Sequence, residues 1–239
     1  MLIYMVGSFV STMVSLLILK YQFSLNLKSF FTIQISLKHF VDILLVLPAF
    51  CVAVYGTNLV YIALYPFMPR LIELLLNYRF VSTPLDFLMV CLIGPVIEEV
   101  LFRGIIFQRM AKKWNIPRGI IFSSLFFAVL HFPYNITGAF AFGVILCIMY
   151  LKTSSLILPI IAHILANTSE TIYSYFYPST ETITELTSGK SITISILGLI
   201  IGTAVIWYYY RKNSPYYTEI PYDVVDKNKK AIFSEPTHQ

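Results

Sequence analysis

Long runs of apolar residues alternate with short polar or Pro-containing breaks along this chain. Seven apolar segments are bounded in this way, at approximately 2–19, 40–64, 84–108, 118–133, 135–151, 155–176 and 191–210. Each has the length or composition of a helix in a bilayer, so the pattern predicts an all-α fold. The architecture expected is a polytopic membrane helix bundle of about seven transmembrane helices, spanning 1–212. The third segment has a clear start: Thr83 can cap it, Pro84 suits the first helical position, and Asp86 follows three residues after the cap. The fourth and fifth are short, which admits a tilt, a merger at Pro133-Tyr134-Asn135, or a partial crossing. The first lacks a basic leader and a small-x-small cleavage site and reads as a retained helix.

The breaks carry charge in alternation. Lys20, Lys28 and Lys38 fill the first loop, and Arg109, Lys112, Lys113 and Arg118 the third. Lys152 lies in the fifth, and Arg211-Lys212 open the tail. The sixth loop holds Glu170, Glu181 and Glu185 against Lys190. Positive loops stay inside, so the odd-numbered loops and the C-terminus are expected in the cytoplasm, with the N-terminus outside. The second loop, with Arg70 and Arg79 against Glu73, fits this assignment least well. Aromatic clusters at Tyr173–Tyr177 and Trp207–Tyr210 suit the two interfaces. Residues 213–239 mix Pro, acids and lysines without periodicity and read as a flexible cytoplasmic tail.

Composition narrows the class. Of the 239 residues 57% are hydrophobic and 12% charged, with mean hydropathy +0.75, far from the ~25% charged of an ordinary soluble domain. The net charge of +5 is dispersed over loops rather than gathered in a stripe, so nucleic acid is not an expected partner. The bilayer is. Cys51, Cys91 and Cys147 all lie in apolar segments without a CxxC pattern and read as buried thiols.

Against this background the informative residues are the polar ones that apolar segments should exclude. Glu98-Glu99-Val100-Leu101-Phe102-Arg103 places three charges inside the third segment, where each costs roughly 2.5–3.5 kcal/mol near a bilayer centre. Glu99 and Arg103 are i,i+4 neighbours and can pair. Glu98, five residues from Arg103, points elsewhere and is left to face a water-filled cavity as a general base. Pro95 removes a backbone hydrogen bond one turn earlier and can open the helix. His131 follows Phe127 by one turn, and His163 and Asn167 share a face of the sixth segment. An imidazole with a carboxylate can activate water, and a second imidazole with an amide can stabilise an oxyanion. Each residue also has a plainer reading: intramembrane histidines often bond neighbouring helices, and a Glu–Arg pair can simply lock packing.

Taken in order, Glu-Glu-x-x-x-Arg, Phe-x-x-x-His and His-x-x-x-Asn resemble the motifs of the CPBP intramembrane proteases. That group contains the type II CAAX prenyl endopeptidase and bacterial abortive-infection and bacteriocin-immunity proteins. The resemblance covers roughly residues 84–170. It implies that Glu98 and His131 activate water and that His163 and Asn167 stabilise the oxyanion, with Glu99, Arg103 and Phe127 in support. It further implies a peptide or protein substrate at the membrane, at its cytoplasmic half, and an integral protein of a bacterial plasma membrane.

The family is commonly called a metalloprotease, and Glu98, His131 and His163 could hold zinc with an open position. No HExxH is present and Asn is a poor zinc ligand, so catalysis without metal is the favoured expectation and zinc the alternative. A non-proteolytic immunity or scaffold protein is the competing function. A proton-coupled transporter, the third, would show paired repeats that the chain lacks. One tension remains: at 1.5 Å per residue, Glu98 lies roughly 15 Å from the cytoplasmic end of its segment, His131 roughly 20 Å and His163 roughly 12 Å, yet catalysis needs one depth.

Overall fold

The structure, a computed structural model, describes residues 41–76, 83–132, 134–176 and 183–218, together with Phe31, Val81 and Ile220. Their regular structure is all helical, with short turns between helices and no strand among the described residues. Helix α1 is Val41–Leu64 and the short α2 is Pro69–Leu76. Helix α3 runs without a break over 84–113, its α-helical turns interrupted by π-helical stretches at Leu88–Ile93 and Phe102–Phe107. Then come α4 (Ile116–Leu130), α5 (Ile136–Thr153), α6 (Ile157–Phe176), the single turn α7 (Ile183–Leu186) and α8 (Gly189–Lys212).

Local chemistry sets the boundaries. Thr83 Oγ1 accepts from the Asp86 N–H at 3.1 Å and Asp86 Oδ2 accepts from the Thr83 N–H at 2.9 Å, a reciprocal cap on α3. Asn115 accepts from the Arg118 N–H to start α4, and Asn135 from the Gly138 N–H to start α5. Ser154, with φ 49°, ends α5 in the left-handed region.

Three described helices have the length and composition to cross a membrane: α1, α5 and α8. Helix α4 is apolar but shorter. The polar residues His163, Asn167, Ser169 and Glu170 lower the hydropathy of α6. The expected first segment, 2–19, lies outside the described residues. Helix α5 is the central element, with 72% of its apolar window buried against 17% for α1 and for α8. Small residues let its neighbours approach: a Cβ on Gly138 would stand 2.2 Å from the Cβ of Ala53 in α1, and one on Gly143 2.9 Å from the Cβ of Ser124 in α4.

Two sequence boundaries need correction, and the corrections bring the expected site residues towards one depth. The third helix continues to Lys113, because nothing at Phe107–Gln108 interrupts it, and the fourth begins at Ile116, where Asn115 caps it and Pro117 follows. His131 therefore sits at the C-cap of α4 rather than within it, with its N–H bonded to the Ala128 carbonyl. Glu98 precedes the end of α3 by 15 residues and His131 follows the start of α4 by 15, so each stands roughly 22 Å from the α3–α4 corner. Helix α6 starts inside the protein, since Ser155, Leu156 and Leu158 are fully buried. Its short approach to His163 is thereby explained.

At the other end of α5, Lys152 pairs with Asp42 of α1 at 2.5 Å and lies over the Tyr209 ring of α8. Residues 213–217 turn back on the bundle, where Asn213 is buried and the Tyr217 hydroxyl donates to the Tyr210 carbonyl at 2.8 Å. Lys152→Ala, which strands a largely buried Asp42 carboxylate, is expected to destabilise the fold by about 3–5 kcal/mol. Thermal denaturation in detergent would show this as a lowered midpoint. Adding Asp42→Asn should restore part of the loss.

Candidate active site

The two adjacent glutamates enter different surroundings. Glu99 is completely buried, while the Glu98 side chain is 36% exposed. Helical phase produces the difference: one face of α3 meets α5 and α6, and the next position looks along an open side. Arg103, one turn on and 1% exposed, donates from Nη1 to Glu99 Oε1 at 2.6 Å. His163 of α6 contacts the same oxygen through Nδ1 at 2.8 Å. Its Nε2 lies 3.8 Å from Glu98 Oε2. A line of charge and hydrogen bonding thus runs Arg103–Glu99–His163–Glu98 across two helices.

Aromatic rings and backbone carbonyls complete the surroundings. The Arg103 guanidinium lies 4.7 Å from the Phe127 ring centre in α4 and reaches the Gly143 carbonyl at 3.4 Å. Phe127 stands 4.4 Å from the His131 ring and edge-on to His163 at 6.0 Å. Phe142 of α5 meets His163 edge-on at 5.2 Å. His131 Nδ1 bonds the Phe127 carbonyl at 2.8 Å. A carbonyl only accepts, so Nδ1 carries the hydrogen, and the neutral ring keeps its lone pair on Nε2. Asn167 Nδ2 donates to the Val90 carbonyl in the first π stretch at 2.8 Å.

All seven residues singled out in the sequence lie in or beside this arrangement. Glu98, Glu99, Arg103, Phe127 and His163 are linked by direct contacts. His131 joins through Phe127 and, among the described residues, makes no ion pair with a carboxylate, and Asn167 faces the backbone of α3. Among the described residues no three His, Cys, Asp or Glu side chains converge closely enough to hold a metal ion.

Three contributors escaped the sequence reading. Gln108, buried at the end of the second π stretch, donates to the Gly104 carbonyl and to the Tyr150 hydroxyl, both at 2.8 Å. As a polar residue at the edge of an apolar segment it was detectable. Phe142 and the Gly143 carbonyl had no such signal, because an aromatic and a glycine among apolar residues are ordinary.

Three helices long and apolar enough to cross a membrane, packed with a buried polar centre, suggest a membrane protein. Comparison with known proteins gives it a closer setting. Residues 80–169 match the family model described as Type II CAAX prenyl endopeptidase Rce1-like, and this segment holds all three motifs. The chain is 34% identical over 102 residues to the Membrane-embedded CAAX protease MroQ of Staphylococcus aureus (strain USA300), covering 40% of this chain and 41% of that one. It is 31% identical over 88 residues to the Bacillus subtilis (strain 168) protein named "Putative membrane peptidase YdiL", covering 36% of each. An "Uncharacterized 24.3 kDa protein" of Escherichia coli is 27% identical over 109 residues, 43% of this chain and 50% of that one. The chain therefore spans half or less of the length of these curated relatives. No solved structure matches it. The family resemblance of the motifs is borne out over this segment, and the matches support a membrane protease-type function.

The buried pair yields a stability test. Glu99→Ala and Arg103→Ala should each destabilise the protein by about 3–5 kcal/mol, since each strands an opposite charge in a dry interior. The double variant should recover only part of this, because His163 Nδ1 also loses its acceptor. Thermal melts of the three purified variants would check both statements.

Proposed function

We propose that this chain is an intramembrane endopeptidase that hydrolyses a peptide bond of a membrane-associated peptide or protein. The observation that carries the reading is the contrast between the glutamates. Glu99 binds Arg103 and His163 through one oxygen, whereas Glu98, its side chain 36% exposed, turns a buried Oε2 towards the far nitrogen of His163 and makes no hydrogen bond among the described residues. A scaffold or immunity protein needs no carboxylate left without a hydrogen-bond partner beside an imidazole.

In the proposed reaction Glu98 and His131 draw a proton from water, His131 through its Nε2 lone pair. The hydroxide adds to the scissile carbonyl carbon, the C=O π electrons pass to the carbonyl oxygen, and the Asn167 amide beside the His163 ring would meet the charge that forms there. Collapse breaks the C–N bond as the proton passes to the leaving amine. Glu99 and Arg103 hold His163 at the right angle, and Phe127 braces Arg103 and His131. Metal plays no part in this scheme. In the same reading the protein is a multi-pass protein of a bacterial plasma membrane with its C-terminus in the cytoplasm. A prenylated substrate is one candidate, suggested by the relatives' names.

Mass spectrometry of membrane peptides from cells carrying the wild type or Glu98→Ala would reveal the substrate; identical peptide profiles would remove the proposal. On a cleaved peptide, Glu98→Gln should lower turnover by roughly 10²–10⁴ while insertion and folding persist. Wild-type turnover by that variant would refute the role of Glu98. Protein washed with a strong chelator should retain its activity and hold well under one zinc per chain. Loss on chelation with recovery on added zinc would favour a zinc enzyme built on Glu98, His131 and His163.

A further inference from the structure

The first π stretch of α3 ends at Ile93, just before Gly94-Pro95, and this leaves the Val90 carbonyl short of a helical donor. The Gly94 N–H bonds the Met89 carbonyl, five residues back. With the Gly94 N–H engaged there, the next N–H that could reach the Val90 carbonyl is that of residue 95, which proline lacks. An open carbonyl in a membrane protein's interior must find another partner. It finds Asn167 Nδ2 at 2.8 Å. Among the described residues neither the second N–H of that amide nor its oxygen has a partner, so one hydrogen is committed to α3 and the other stays available.

We propose that Pro95 is a positioning residue of the site. By withholding the donor that Val90 requires, it clamps the Asn167 amide by one N–H and presents the other to the reacting carbonyl. The inference rests on the proteolytic reading for its functional consequence, while the clamp itself is independent of it. Asn167 is thus tied to α3 eight residues before Glu98, and His163 is tied to it at Glu98 and Glu99. The two groups expected to meet the oxyanion are registered against one helix.

Pro95→Ala returns an N–H that can bond Val90, and so releases Asn167. On an internally quenched membrane peptide that the wild type cleaves and Glu98→Gln does not, Pro95→Ala should lower kcat roughly 10²–10³-fold with little change in KM, matching Asn167→Ala. Its melting temperature should equal or exceed that of the wild type. The double variant should be no slower than either single one, since both remove the same donor. Wild-type kcat in a folded Pro95→Ala protein, or losses that multiply in the double variant, would overturn the proposal. A readout without catalysis is the exchange of the Asn167 side-chain amide hydrogens, followed by NMR on labelled wild-type protein. One protected and one fast hydrogen are expected, and equal exchange of the two would refute the clamp even if Pro95→Ala does not fold. If the wild type cleaves nothing yet the protected hydrogen is found, the proteolytic reading fails and the clamp stands.

Discussion

The architecture around the site depends on keeping Glu99 and Arg103 together out of water. Neither charge has solvent to fall back on, and stranding one of them would cost a large fraction of a marginal stability. Their pairing at 2.6 Å is therefore a constraint that neighbouring elements must respect. Phe127 gives the guanidinium a π face, Gly143 lends it a carbonyl, and the Glu99 oxygen also holds the His163 ring. Contacts from α4, α5 and α6 thus converge on one ion pair of α3. The supporting pair and the candidate site form a single unit.

Backbone hydrogen bonding supplies the second constraint. Helix α3 carries two π stretches, one on each side of the glutamates, and each departs from the regular ladder. At both, a side-chain amide reaches a carbonyl of the stretch: Asn167 at Val90 and Gln108 at Gly104. Irregular backbone within a membrane protein survives where protein groups satisfy it. In α3 the irregular turns are tolerated next to the groups that need unusual orientations.

The central helix α5 makes this compactness achievable. Glycines at 138 and 143 bring α1 and α4 to distances that no larger residue would permit, and the Asp42–Lys152 pair ties its far end to α1. The family-model match, residues 80–169, covers α3 to α5 and most of α6. That is also the part of the chain on which the polar centre is built.

Much of this was legible in the chain itself. Runs of apolar residues marked the helices, because period and composition follow from what a helix in lipid must bury. The capping box at Thr83 and Asp86 located the start of α3, since such caps are local. The misplaced polar residues marked the site, because desolvating charge is expensive wherever the helices go. The i,i+4 spacing foretold the Glu99–Arg103 bond within one helix. Tertiary structure alone decided what crosses between helices. His163 could have met either glutamate, and it bonds Glu99 while facing Glu98. His131 anchors on the Phe127 carbonyl, and among the described residues its second nitrogen has no hydrogen-bond partner. Asn167 was read as a donor to substrate, yet the missing N–H of Pro95 gives it a first duty to Val90. These partners are set by helix depth and rotation, and those depend on packing among residues far apart in the chain.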